Sequence, residues 1–88
     1  MTRFTVVWHQ DARDELARLW MEATDRGAVR SAADAIDRDL AVDAPFKGNP
    51  IPDGLRQLTV PPLRVLFAVS QGDRMVRVLE VARLSGTL

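Results

Sequence analysis

The sequence predicts an α+β domain with the element order β-α-α-β-β-β. Three strand-like runs follow one another without a helix between them, at Leu55–Val60, Leu63–Ser70 and residues 74–83. They come after one N-terminal strand and two helical stretches. Because 88 residues provide one modest core, a second layer of secondary structure must cover the sheet. We therefore expect residues 1–88 to form a single domain, an antiparallel meander sheet with a helical hairpin packed on one face.

The first strand and both helices are visible in the spacing of apolar residues. Every second residue of segment 4–8 is large and apolar, which is typical of a strand with one buried face. We predict that the first helix begins near Asp11, whose carboxylate would accept from first-turn amides, and that Asp25 caps the second helix. The apolar stripes of the two helices consist of Ala12, Leu16, Leu19, Trp20 and Ala23, and of Val29, Ala32, Ala33, Ile36 and Leu40.

The segment between the helices and the meander is predicted to be a loop. Residues 44–54 contain three prolines and two glycines, so no periodic element is expected there. In the central strand that follows, large apolar residues alternate with Arg64, Leu66 and Ala68. We expect those three to lie on an open face of the sheet. The residues expected to face the helices are Leu63, Val65, Phe67 and Val69.

Several kinds of chemistry are excluded by composition. The chain has no cysteine and one histidine, His9, which are too few ligands for a zinc site. No glycine-rich turn follows a strand to cradle a phosphate, so neither a cofactor nor a metal is expected. His9 is interpreted as a polar residue at an element junction. Trp8 and Trp20 fit the core better than a stacking platform, because they fall at strand and helix spacing.

Charge divides the chain into two halves. Residues 1–43 carry six arginines against nine acidic residues, whereas residues 44–88 carry six basic residues against three acidic ones. The basic strand half could face nucleic acid or an acidic partner, although ordinary solvated helices also produce such a difference. No run of about 18 apolar residues is present, so no membrane partner is expected. We expect a cytoplasmic protein.

The strand sequences resemble those of a known toxin family. The segments at 55–58 (LRQL), 63–67 (LRVLF) and 78–83 (VLEVAR) are similar to the last strands of the RelE/ParE superfamily, toxins of bacterial type II toxin-antitoxin modules. The opening strand and the helix at 12–20 are similar as well. The resemblance covers almost the whole chain. It implies a cognate antitoxin as partner and either DNA gyrase or the ribosome with its mRNA as target.

Four strand arginines are the candidate site residues under this resemblance. Arg56 and Arg64 match the two arginines of the family's strand pattern, and Arg83 falls where the final His-Arg pair belongs. Arg56, Arg64 and Arg83 are the candidates for catalysis, and with Arg77 they are the candidates for target binding. Arginine stabilises developing phosphate charge but is a poor proton shuttle at neutral pH.

Departures from the family pattern bear on mechanism. The RNA-cleaving branch carries a cluster of Arg, Lys, Tyr or His on the sheet, whereas this chain has no tyrosine, one lysine (Lys47) and no histidine near its C-terminus. A ParE-like toxin that binds its target is therefore favoured. A RelE-type ribosome-dependent endoribonuclease, an inert interaction module and a homodimer stay open. For the strand arginines, a solvation role and contact with the antitoxin also stay open.

Overall fold

A computed structural model describes residues 2–84 and confirms the predicted α+β class. Two helices lie on one face of a five-stranded sheet. Two 3-10 turns, Ala44–Phe46 and Pro52–Gly54, flank the second strand. No helix among residues 2–84 is long and apolar enough to cross a membrane. In chain order the elements are β1 (Thr5–Trp8), α1 (Gln10–Glu22), α2 (Arg26–Leu40), β2 (Asn49–Ile51), β3 (Leu55–Val60), β4 (Leu63–Ser70) and β5 (Met75–Arg83).

The sheet is mixed rather than purely antiparallel. Its strand order is β1-β5-β4-β3-β2, and the predicted meander β3-β4-β5 is antiparallel throughout. β1 pairs with β5 in parallel, with Val6 opposite Val76. Both helices and strands β2 to β4 lie between the two strands in sequence, which supplies the long connection that a parallel pair needs. The first strand therefore closes the sheet beside the last one.

One short strand lies within the segment predicted to be a loop. β2 pairs antiparallel with the start of β3, with Pro50 opposite Arg56. A proline cannot donate to a strand ladder, but β2 is an edge strand and its outer side needs no partner. The prolines therefore limit this strand to three residues without preventing it. Local periodicity could not reveal it, because three residues are too few to show an alternation.

The core forms where the predicted faces meet. Leu63, Val65 and Phe67 of β4 are fully buried, as predicted, and Val69 is partly buried. α1 packs against β5, and α2 packs against β3 and β4. Alternate residues of β4, and of β5 on either side of a bulge at Leu79, thus point toward the helices, and the intervening ones remain on the opposite, open face. The fully buried helix and β5 residues in this core include Ile36, Leu40, Val76 and Val78.

The helix boundaries follow from their caps. The predicted cap of α1 is wrong: His9 is the N-cap, and its Nδ1 accepts the backbone N–H of Asp11 at 3.4 Å. Asp11 instead lies in the first turn, where its charge favours the helix dipole. Asp25 caps α2 as predicted, its Oδ1 accepting from Ala28 N at 2.9 Å. On the exposed face of α1, hydrogen bonding to Glu15 raises the pKa of Arg18.

After α2 the chain crosses from one edge of the sheet to the other. Asp43 lies beside the N-terminal segment: its N–H donates to Thr2 O at 2.7 Å, and its carboxylate accepts from Thr2 N at 2.8 Å. Ala44 follows and is fully buried. The chain then reaches β2 on the far edge. This crossing segment, residues 43–48, closes one end of the core.

Candidate functional site

The structure places the four candidate arginines on two different faces of the sheet. Residues directly opposite each other on neighbouring strands point to the same side. Arg64 lies opposite Thr59 and Ala82, and Arg77 lies opposite Ala68. These positions alternate with the buried residues of β4 and β5, so Arg64 and Arg77 lie on the open face. The expectation of an open face that carries arginines holds for these two.

Arg56 and Arg83 lie on the helix side of the sheet. Arg56 is opposite Phe67, and Arg83 is opposite Leu63, both of which are fully buried. The alternation of β3 and β5 therefore directs these two arginines away from Arg64. The ribonuclease interpretation of the resemblance would need Arg56, Arg64 and Arg83 to bind one phosphate together. Because Arg64 lies on the other face of the sheet, the three cannot do so in this structure.

The guanidinium of Arg56 is engaged with the backbone. Its Nε donates to Lys47 O at 2.8 Å, and its Nη2 donates to Gly48 O at 3.1 Å. The side chain is only partly exposed. Arg56 therefore fastens the crossing segment to β3. Arg83 lies at the opposite end of the sheet, in a shallow concavity that is also lined by Asp25, Ala28 and Pro62.

The open face carries both signs of charge. Arg64 and Arg77 are separated by four residues along β4 and one strand step, roughly 14 Å between Cα atoms. Glu80 lies opposite Leu66, between the two arginines. The face therefore presents a carboxylate flanked by two guanidinium groups, not a compact basic cluster. Sequence reasoning did not single out Glu80, although its alternation with Val81 places it there.

Few ionisable groups lie on this face. The ionisable side chains of β4 and β5 on the open face are Arg64, Arg77 and Glu80. His9, the one histidine of the chain, caps α1 and uses Nδ1 for that purpose. What the open face offers chemically is recognition of a charged surface through planar guanidinium groups.

A second candidate site lies between the two helices and was missed by the sequence interpretation. The helices leave an open groove of about 550 Å³ whose lining is mainly apolar. Ala17 and Ala33, one on each helix, lie on its lining, and their small side chains leave room between the helices. The groove is lined by Trp8, Arg13, Leu16, Ala17, Trp20, Val29, Arg30, Ala33, Asp34 and Asp37.

Both tryptophans of the chain line this groove. Trp8 is half-buried, and its Nε1 donates to Asp37 Oδ1 at 2.9 Å, which fixes the indole at one end. Trp20 is 40% exposed, so its predicted place in the core is wrong. The guanidinium of Arg26 lies 4.7 Å from the Trp20 ring centroid and donates to Trp20 O at 3.1 Å. Both rings are therefore held in place by polar contacts.

A signal for the groove exists in the sequence. The predicted stripe of α1 contains both Leu19 and Trp20, and two adjacent apolar residues make the stripe wider than one packing face. Leu19 is buried against the sheet, which leaves Trp20 at the margin. A helical stripe that is too wide for one packing face, with a tryptophan at its margin, indicates an apolar surface outside the core.

Comparison with solved structures identifies the fold. A chain of the toxin-antitoxin complex RelBE2 from Mycobacterium tuberculosis superposes with a TM-score of 0.78 at 20% identity, over 94% of this chain and 93% of that chain. A chain of the archaeal RelE-RelB complex from Pyrococcus horikoshii gives 0.69 at 17% identity, over 99% and 100%. A chain of the chromosomal ParDE system from P. aeruginosa gives 0.68 at 18% identity, over 94% and 98%.

These similarities lie in the fold, since sequence identity to the three chains is 17–20%. No protein-family model matches the chain, and no curated protein is significantly similar to it. The isolated E. coli RelE toxin is also similar, with a TM-score of 0.55 at 14% identity over 96% of this chain and 87% of that chain. The chain has the fold of RelE/ParE toxins, as the sequence resemblance predicts.

Proposed function

We propose that this protein is the toxin component of a type II toxin-antitoxin module, which acts by binding a cellular target and is neutralised by a cognate antitoxin. The observation that carries the proposal is the agreement in fold, over more than nine-tenths of the chain, with chains from RelBE and ParDE complexes. The resemblance of the strand sequences to the same superfamily is consistent with it. Fold alone does not fix function, so the sites must support it.

The groove between α1 and α2 supports an antitoxin partner. It is concave and mainly apolar, so it fits a convex apolar object such as the face of an amphipathic helix. Trp8 and Trp20 provide rigid aromatic contact area, which is typical of residues that dominate binding energy. Arg13, Arg30, Asp34 and Asp37 supply polar groups around the groove. An antitoxin helix seated there would bury both tryptophans.

The open face supports binding of the target in preference to cleavage. Arg64 and Arg77 provide forked donors for phosphate or carboxylate groups, while Glu80 between them reduces the attraction for a polyanion. Because the net charge of the chain is zero, the protein lacks long-range electrostatic attraction toward the anionic ribosome. These features favour a ParE-like mode of action, with DNA gyrase as the target that the resemblance implies. The alternative is a RelE-type endoribonuclease that uses Arg56, Arg64 and Arg83, although their positions on two faces of the sheet prevent the three from gripping one phosphate together.

Controlled expression in a bacterial host tests the proposal. We expect growth to stop on induction of this chain alone and to recover when the product of an adjacent reading frame is co-expressed. DNA breaks should accumulate, and mRNA ends should match those of uninduced cells. Codon-specific mRNA cuts that Arg83→Ala abolishes would replace target binding with the ribonuclease alternative. Unchanged growth at a high level of folded protein would refute the toxin function.

A further inference from the structure

Phe46 is the most exposed large apolar residue of the described chain, and it occupies a firmly held position. Its side chain is 83% exposed at the end of the 3-10 turn Ala44–Phe46. An isolated exposed apolar residue on a loop usually needs no explanation. Here, however, the backbone on both sides of Phe46 is fixed by contacts to two other parts of the molecule, the N-terminal segment and β3.

Three separate contacts hold the crossing segment. On the N-terminal side, Asp43 exchanges hydrogen bonds with Thr2, and the Phe46 N–H donates to Asp43 O at 2.9 Å. On the C-terminal side, Arg56 donates to the carbonyl oxygens of the two residues that follow Phe46. Gly48 then packs against β3 so closely that a Cβ at this position would clash with Gln57 O. The protein therefore immobilises the backbone that presents an aromatic side chain to solvent.

Such an arrangement has the physical properties of a binding anchor. Ordering a loop and an aromatic side chain on binding normally costs free energy, and a pre-ordered backbone avoids most of that cost. Residues that dominate protein interfaces are enriched in aromatic side chains that insert into pockets of the partner. Phe46 protrudes, whereas the groove between the helices is concave, so the two surfaces suit partners of opposite shape.

The surroundings of Phe46 indicate the chemistry of its partner. Lys47, the one lysine of the chain, follows directly, and no ion pair within residues 2–84 includes it. Pro50 nearby in sequence is exposed as well. A protruding aromatic ring followed in sequence by a partly exposed lysine complements an apolar pocket that has a carboxylate at its border. A single ring without a second aromatic residue on the segment is a poor stacking platform for a nucleic-acid strand.

We propose that Phe46 is the anchor for the cellular target, and that it inserts into an apolar pocket of a protein whose border carries a carboxylate opposite Lys47. This inference rests on the proposed toxin function and adds, to the open-face arginines, a target contact that lies outside the antitoxin groove. None of the groove-lining residues belongs to the crossing segment. Target binding and antitoxin binding are therefore separable by substitution.

Growth inhibition by variants of the full chain tests this assignment. Phe46→Ala should weaken target binding roughly 30-fold or more, the effect of truncating an interface anchor, and growth inhibition should be lost at matched protein levels. Phe46→Trp should retain inhibition because a flat aromatic ring is kept. Met21→Ala is the matched control, since Met21 is 66% exposed on α1 and should leave inhibition unchanged. Phe46→Ala should still bind the antitoxin and unfold at the wild-type denaturant concentration.

Site-specific crosslinking identifies the class of partner. Phe46→p-benzoylphenylalanine, illuminated in cells, should give a protein adduct that Lys47→Glu weakens, and Met21→p-benzoylphenylalanine should not give it. Retained growth inhibition by Phe46→Ala would overturn the anchor while leaving the toxin function intact. An adduct to nucleic acid, or loss of antitoxin binding in Phe46→Ala, would also overturn it. If wild-type protein does not inhibit growth, both the toxin function and the anchor are rejected.

Discussion

The Arg56 Nε donates to Lys47 O at 2.8 Å, and this contact assigns a conspicuous strand arginine to the architecture of the domain. A second donor of the same guanidinium bonds to Gly48 O. Both acceptors belong to the crossing segment, which joins α2 to the far edge of the sheet. Because Arg56 is partly buried and lies on the helix side, its removal leaves two carbonyl groups without a donor.

Substitution of Arg56 should reduce stability more than substitution of Arg64. We expect Arg56→Ala to lower the free energy of unfolding by about 1.5 to 3 kcal/mol, since hydrogen bonds from a charged donor are lost. Arg64→Ala should change it by less than about 0.5 kcal/mol, because no side-chain hydrogen bond within residues 2–84 involves Arg64. Urea melts measure both. Equal losses would show that the Arg56 contacts contribute nothing to the fold.

Glycine is required at position 48 for space as well as for backbone conformation. Gly48 and Gly54 both have positive φ, +66° and +75°, but only Gly48 is crowded, by Gln57 O. Gly54→Ala should cost roughly 1 kcal/mol, because alanine is strained in the left-handed conformation. Gly48→Ala should cost clearly more, because the added Cβ also clashes with Gln57 O. Thermal melts of the two variants provide the comparison. Similar midpoints would mean that the crossing segment can move away from β3.

The two faces of β4 should differ in their sensitivity to truncation. Phe67 is fully buried on the helix side, so Phe67→Ala should cost about 3 to 5 kcal/mol, which is enough to unfold a domain of this size. Leu66→Ala, on the open face, should cost much less because Leu66 is only partly buried. Denaturant melts followed by circular dichroism distinguish them. A larger loss for Leu66→Ala would reverse the assignment of faces.

Binding in the helix groove should be visible in intrinsic fluorescence. The chain has two tryptophans and no tyrosine, and both tryptophans line the groove. Adding the product of the adjacent reading frame should shift the tryptophan emission to shorter wavelength as the rings lose water. A partner that itself contains tryptophan would require a tryptophan-free variant of that partner. Unchanged emission in a complex that forms on gel filtration would place the partner elsewhere.

Truncation of Trp20 tests the same groove energetically. Trp20→Ala should weaken the complex with that partner by roughly 30-fold, since an exposed aromatic residue would be buried on binding. Met21→Ala is the neighbouring control, because Met21 is exposed but does not line the groove. Titration calorimetry provides both dissociation constants. Equal weakening by the two variants would argue against a specific seat for the partner between the helices.

Arginine-to-lysine substitutions test whether the open face binds its target through planar guanidinium groups. Arg64→Lys keeps the positive charge but loses the planar fork that binds phosphate or carboxylate through two parallel hydrogen bonds. If Arg64 contacts the target, we expect this variant to lose growth inhibition while it retains wild-type stability. Arg77→Lys offers the same comparison on the same face. Full inhibition by both variants would indicate that these arginines only solvate the sheet.

The sequence by itself determined the order of the two helices and the four longer strands, the faces of β4 and the cap of α2, whereas the short strand β2 was missed. These follow from local rules: the period-2 pattern from Leu63 to Val69 and the carboxylate of Asp25 act over a few neighbouring residues, and the hydrophobic effect then selects one face. The resemblance of the strand segments to RelE/ParE sequences predicted the fold as a whole, because those strand sequences also record which face of each strand is buried.

Only the tertiary structure decided the parallel pairing of β1 with β5, the division of the four arginines and the groove between the helices. Each depends on residues far apart in the chain. Whether Arg56 faces solvent or the backbone of Lys47 is set by how the crossing segment approaches β3, and whether Trp20 is covered is set by how far α1 lies from α2. Local periodicity reports the buried side of an element but not the distance to its neighbours, and that distance makes a surface residue available for binding.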